Sequence, residues 1–161
     1  MGDYNYWTNG IATIIETPDQ TTLVRHRSDF GTIVEQPANT KGWFHIPLTT
    51  PSQVNNDGSF HLTHVYLTVN LSLGATLDLI HIRRGTDLIH EEPVTHNNRG
   101  ILFSAMFDMA PIYLPDSVDV DGPGHTMNIY NNGLVMSIHI NFTGSNGRVE
   151  FKCAGVRFKT L

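Results

Sequence analysis

The sequence predicts an all-β protein, an antiparallel β-sandwich of jelly-roll-like form, with about nine or ten strands and little or no helix. Three observations predict it. Apolar residues recur at every second position in the longest patterned segments. Clusters of Asn, Asp, Gly and Pro punctuate the chain between those segments. No stretch repeats apolar residues at the spacing of a convincing amphipathic helix. The 161 residues carry a net charge of −5 and 40% hydrophobic residues. A chain of this size buries roughly 70% of its unfolded surface, enough for one domain over 1–161 without disulfide or metal staples.

The elements follow in order. Segments 11–16, 22–28, 31–36 and 43–48 read as short strands. From Phe60 onward Val65, Leu67, Val69 and Leu71 share one side, with His64, Tyr66, Thr68 and Asn70 opposite them. Segments 76–83 and 87–90 follow, then 101–108. The last of these also shows some helical spacing, but strands surround it and Pro111 closes it. From Gly133, the residues Leu134, Met136, Ile138, Ile140 and Phe142 alternate with Val135, Ser137, His139 and Asn141. Alternation of this kind marks a strand with one face on the core and one in water. Val149, Phe151 and Cys153 form another inward set. Val156 and Phe158 resume on the other parity, which calls for a β-bulge near Ala154-Gly155. Turn chemistry falls at 17–20, 55–58, 84–86, 131–133 and 145–147. Residues 111–127 form the longest irregular segment, and loops of that length often serve function.

Composition excludes several classes. Asp and Glu outnumber Lys and Arg by 15 to 10, against the basic face of a nucleic-acid binder or of a polybasic membrane-surface protein. No apolar run approaches the length that spans a bilayer. The first seven residues lack the basic-then-apolar pattern of a signal peptide, so cytoplasmic residence is expected, with unconventional export left open. Cys153 is the sole cysteine, so neither an intrachain disulfide nor a thiolate zinc site is expected.

Nucleophile and phosphate signatures are missing: there is no Gly-x-Ser-x-Gly and no glycine-rich phosphate loop. Cys153 is expected in the core, and the adjacent Glu91 and Glu92 point apart on an extended backbone. The nine histidines read first as surface or hydrogen-bonded imidazoles. A metal-site alternative needs His64 and His139 to converge with a further ligand. Asp116, Asp119, Asp121 and Gly122 have the oxygen-rich look of a cation loop, but the EF-hand spacing and its bidentate Glu are absent, so an ordinary solvated turn is the preferred reading.

Aromatic residues give the more specific signal. Tyr6 and Trp7 near the start, and Trp43 beside His45, offer flat apolar rings with polar tips. They either fill the core or serve as surface anchors for a sugar or a partner protein. As a candidate ligand-binding set the sequence offers Tyr6, Trp7, Trp43 and His45, with Asp119, Asp121 and His125 on the loop as a second group. The leading reading is a non-enzymatic binding or self-assembly module for carbohydrate or protein. It would need no cofactor and would form homo-oligomers through exposed edges and charge-poor faces. The alternatives are a His-dependent metalloenzyme on a cupin-like jelly roll and a structural scaffold or particle component.

The segments Tyr6-Trp7-Thr8-Asn9-Gly10, Gly42-Trp43-Phe44-His45-Ile46-Pro47 and Cys153-Ala154-Gly155-Val156-Arg157-Phe158 together resemble an uncharacterised family of small bacterial single-domain proteins. The resemblance spans nearly the whole chain and implies a lone β-sandwich domain. It implies no activity, cofactor or catalytic residue.

Overall fold

A computed structural model describes residues 3–27, 31–50, 60–96, 102–114, 118–119, 126–127, 133–145 and 147–160. The strands are β1 (Asp3–Asn9), β2 (Ile14–Ile15), β3 (Leu23–Arg27), β4 (Gly31–Gln36), β5 (Thr40–Leu48), β6 (Phe60–Leu71), β7 (Ala75–Arg84), β8 (Asp87–His96), β9 (Leu102–Leu114), β10 (Val118–Asp119), β11 (Thr126–Met127), β12 (Leu134–Phe142) and β13 (Gly147–Thr160). Two 3₁₀ turns, Gly10–Ala12 and Pro18–Gln20, are the helical content among the described residues. One sheet runs β3-β4-β13-β6-β9, with β1 also paired to β13. The other runs β2-β5-β12-β7-β8, and β10 and β11 form a separate two-stranded ribbon. All pairings are antiparallel. The chain changes sheet between β1 and β2, β2 and β3, β4 and β5, β5 and β6, β6 and β7, β8 and β9, and β12 and β13. This is the jelly-roll habit expected from the alternation.

The core lies between the sheets. On β12 the side chains Leu134, Met136, Ile138, Ile140 and Phe142 are buried, as the two-residue period requires. Phe44 of β5 meets Phe142 edge-on at 6.3 Å between ring centroids, and it reaches across to Phe151 of β13 at 5.0 Å. Such ring pairs stabilise beyond their buried area by about 0.5–1.5 kcal/mol each, and this trio ties one sheet to the other.

Several expectations shift. The strand over 11–16 is instead a 3₁₀ turn followed by the two residues of β2, and the N-terminal segment forms β1 on the last strand. Residues 3–9 have too few apolar side chains to show a period, and their pairing with 153–159 is wholly non-local. The strand ended at Asp108 by the sequence reading runs to Leu114, through Pro111. Proline is tolerated there because β9 ends its sheet and its pairing skips from Asp108 to Ile112 opposite His64 and Leu62, an edge irregularity that needs no ladder donor. The bulge on β13 exists, but its register breaks between Phe151 and Cys153. Lys152 is therefore the extra residue, Ala154 takes the inward position, and Cys153 is only partly buried. The turns at 55–58, 131–132 and residue 146 lie outside the described residues, as do Asp116, Asp121, Gly122 and His125.

At the β13 bulge the Phe151 carbonyl sits against two glycine Cα atoms. A Cβ on Gly10 would overlap that oxygen, and the obstacle is backbone that cannot swing aside. Gly10→Ala is expected to lower the melting midpoint by roughly 5 °C or more, the scale of an overpacked site costing about 2 kcal/mol in a domain of this length. A scanning calorimetry trace unchanged from wild type would show that the bulge does not hold this contact.

Candidate functional site

The alternation of β5 decides where its aromatic residue points. Gly42, Phe44, Ile46 and Leu48 are buried, so Trp43 and His45 face outward. Ser137, His139 and Asn141 do the same on β12, with Ser137 opposite His45 and His139 opposite Trp43. On β7 the outward residues include His81 and Arg83. The register between β12 and β7 slips at one point: His139 pairs with Leu79 and Ile140 with Leu77. Asp78 is the extra residue of that bulge. Bulges re-aim side chains, and this one brings the Asp78 carboxylate to two residues of β12. Its Oδ1 lies 2.6 Å from His139 Nδ1, and its Oδ2 accepts from Asn141 Nδ2 at 2.6 Å.

The result is a polar outer face with an indole in it. Trp43 lies between two imidazoles, 4.7 Å from the His81 ring and 4.8 Å from the His139 ring, centroid to centroid. His81 Nε2 is 2.9 Å from Glu91 Oε2. His45 Nδ1 is 2.9 Å from Ser137 Oγ, and its Nε2 is 3.7 Å from Glu16 Oε2. Beside Trp43 an open cleft of about 230 Å³ is lined by Glu16, Trp43, His45, His81, Arg83 and Ser137. One wall is apolar and flat. The remaining lining supplies a carboxylate, a guanidinium, two imidazoles and a hydroxyl, of which the imidazoles are each held in place by a neighbour.

The line Ser137–His45–Glu16 has the residue types of a nucleophile, base and acid. Its position argues against acyl transfer. Ser137 is in the middle of β12, which pairs with β5 on one side and β7 on the other. Backbone N–H groups there serve the two ladders, so no pair of them is available to form an oxyanion hole, usually a large part of such catalysis. The arrangement orients His45 and fixes the cleft's floor.

The candidate set from the sequence separates. Trp43 and His45 belong to this cleft. Trp7 lies on β1 in the other sheet, and its side chain is 54% exposed. Tyr6, its neighbour, turns the opposite way and packs its ring edge-on to Phe158 of the core at 5.9 Å. Neither indole fills the core, so the core-filling reading is corrected. Asp119 forms part of β10, paired with Thr126; Asp121 and His125 fall outside the described residues. His64 and His139, the pair on which the metal alternative depended, are on β6 and β12 in different sheets, and both project outward. The sandwich lies between them, so they cannot share an ion. Among the described residues no group of three His, Cys, Asp or Glu side chains is placed to hold a metal.

Sequence reasoning missed Asp78, which with Asn141 flanks the cleft and contacts His139, and it missed His81, Arg83, Ser137 and Glu16 as lining residues. A signal for the first existed. Ala75 and Leu77 share one parity, and Ile80 and Ile82 the other, so the flip marks the bulge. Glu16 gives no such sign, because it enters through the β2–β5 pairing.

No protein-family model matches the chain, and no curated protein matches it. Among solved structures, similar ones include a xylan-binding module CBM15, 12% identical, with a TM-score of 0.49 over 99% of this chain and 97% of that one. A CBM61 in complex with β-1,4-galactotriose is 7% identical, with a TM-score of 0.43 over 95% of this chain and 88% of that chain. The C-terminal CBM6 of the laminarinase LamC from Zobellia galactanivorans is 10% identical, with a TM-score of 0.44 over 96% of this chain and 99% of that one. Likeness at this level carries no argument about ligand or site.

An ionised carboxylate only accepts hydrogen bonds, so the Asp78 contact fixes neutral His139 with its proton on Nδ1. Long-range ¹H–¹⁵N NMR is expected to report that tautomer. Asp78→Ala is expected to remove the preference and cost about 1 kcal/mol of stability. A His139 ring already protonated on Nε2 in the wild type would contradict the assignment.

Proposed function

We propose that the chain is a non-enzymatic carbohydrate-binding module that holds a sugar ring against Trp43 in the cleft over β5, β12 and β7. One observation supports the reading above the others: an indole wall beside hydrogen-bonding groups that are themselves fixed. A pyranose has a C–H-rich face that suits an aromatic ring, and hydroxyls around its rim that both donate and accept. Glu16 accepts, Arg83 donates, and the two imidazoles do either according to tautomer, while Ser137, itself buried, holds His45 from beneath. The His81–Glu91 and His45–Ser137 contacts hold the polar groups before the ligand arrives, which lowers the ordering cost of binding.

A protein ligand suits the cleft less well. Protein-recognition hot spots sit in well-packed pockets from which water is excluded, whereas here, among the described residues, every lining side chain except Trp43 is polar. Of the two ligand classes, carbohydrate therefore has the better chemical match.

The test is affinity electrophoresis through gels containing arabinoxylan, β-1,4-galactan, laminarin or polygalacturonate. At least one is expected to retard the protein. Trp43→Ala, checked for an unchanged circular dichroism spectrum, is expected to weaken that retention about thirtyfold, the cost of removing an aromatic anchor worth about 2 kcal/mol. Free migration in all four gels, or a Trp43→Ala protein retained like wild type, would remove this reading.

A further inference from the structure

We infer that the opposite outer face carries a second sugar platform, built by Trp7 and Tyr66, so that one domain joins two glycan chains. The inference rests on the carbohydrate reading above and adds to it a separate site and a bridging role.

The platform is set by register. Trp7 of β1 pairs with Gly155 of β13, and Gly155 pairs with Tyr66 of β6. The three residues form a row across three strands, and the middle one has no side chain. A Cβ on Gly155 would come within 2.7 Å of the Trp7 ring. Glycine here leaves a gap in the outer face, and the two rings close over it with centroids 4.9 Å apart, tilted 34°. Trp7 nonetheless remains 54% exposed, so the contact shapes a surface rather than burying the indole.

The surroundings fix Tyr66. Its hydroxyl donates to Asn5 Oδ1 at 3.3 Å, and the same oxygen accepts from Arg157 Nε at 3.0 Å. The Arg157 guanidinium carbon is 5.7 Å from the Tyr66 ring centroid, within cation–π range. His64 stacks on its other flank at 6.4 Å with the planes 11° apart. A partly buried ring held from several sides loses little freedom when a ligand arrives, the condition that favours tight binding per contact. A single exposed aromatic needs no explanation. The exposed Trp7 lying on the partly buried Tyr66, with an amide and a guanidinium beside them, presents the same combination as the Trp43 cleft: a flat apolar surface with hydroxyl-binding groups at its edge.

The same face extends along the strands. Tyr66, Thr68 and Asn70 of β6 project outward together. Beyond Asn70 lies a depression of about 350 Å³ lined by Asn70, Leu71, Ser72, Arg148 and Glu150. Four residues of strand span about 13 Å, so an extended chain laid along β6 passes from the ring platform to this hollow. The polar groups at both ends and the aromatic pair at one fit a polysaccharide better than a compact monosaccharide.

The two platforms belong to different sheets and face away from each other. Packed sheets stand about 10 Å apart, so a chain bound on one face does not reach the other without rounding the edge of the sandwich. Two ligands bind without competing, and the domain acts as a cross-link.

The experiment compares wild type, Trp7→Ala, Trp43→Ala and the double variant in the four polysaccharide gels, then mixes each protein with the retained polysaccharide and follows turbidity. Circular dichroism and light scattering accompany every sample. Asn5→Ala serves as a second platform variant that leaves both indoles in place. Trp7→Ala is expected to weaken retention about tenfold, Trp43→Ala to leave residual retention, and the double variant to migrate freely. Wild type is expected to cloud the solution and both single variants to leave it clear. Trp7→Ala and Asn5→Ala proteins that bind and cross-link like wild type would overturn this inference and leave the cleft intact. A Trp43→Ala protein that binds normally while Trp7→Ala does not would instead overturn the cleft reading. If light scattering shows wild-type dimers that Trp7→Ala dissociates, the platform is a contact between two copies and the inference falls.

Discussion

The architecture turns on one strand, β13, and on the single extra residue within it. β13 is hydrogen-bonded to β6 along most of its length, and on its other side it serves two partners in succession: β4 over Gly147–Phe151 and β1 over Cys153–Lys159. The handover occurs at Lys152. Without an extra residue there, a strict two-residue period would send either Val149 and Phe151 or Val156 and Phe158 into water, a loss of about 1.5–3 kcal/mol for each large side chain exposed. The bulge lets both halves point inward. It also leaves the Phe151 carbonyl against Gly10, just after β1, and Gly31, the first residue of β4, where a Cβ on either would overlap that oxygen. The row Trp7–Gly155–Tyr66 follows from the register that the bulge establishes.

How much of this could be read from the residues depends on whether the cause is local. The alternation of Leu134 through Phe142 is local, and β12 forms with the faces it predicts. The need for a bulge in β13 was legible from the parity change. Its position was not, because Cys153 and Ala154 are both small and moderately apolar, and either can follow the extra residue. The strand β1 is invisible by pattern. Only its pairing with the far end of the chain makes it a strand, and that pairing leaves no mark in residues 3–9. The outward direction of Trp43 was available from Gly42, Phe44, Ile46 and Leu48, yet a general preference for burying indoles pulls the other way. The strand's own period overrides the residue's average behaviour. His64 and His139 both lie on wet faces, as expected, but which sheet holds each strand is a topological fact that no local pattern contains.

The carboxylate–imidazole contacts on the outer face of β5, β12 and β7 have a directional role more than an energetic one. His81 with Glu91, His45 with Glu16 and His139 with Asp78 are partly solvated pairs, and such pairs contribute at most about 1 kcal/mol. A protein gains little stability from three of them side by side. Two of them fix the plane of a ring against Trp43, and the third holds His45 in the cleft. The Asp78 bulge shows the same emphasis: it interrupts a ladder between two central strands in order to place one carboxylate. The Gly155 gap on the other face is likewise a local loss of packing that brings two rings together.

Most edges of the two sheets are blunted against strand addition. A sandwich ends in unpaired strands, and an unguarded edge pairs with another copy. β2 is two residues long, too short to template a partner. β3 carries Arg25, His26 and Arg27, all exposed. Pro93 interrupts the donors of β8, and Pro111 those of β9. Short length, positive charge and proline are devices that blunt strand addition, and β2, β3, β8 and β9 each use at least one; β1, paired with β13 alone among the described residues, uses none of them. On each outer face an indole stands beside polar groups that neighbouring side chains hold in place.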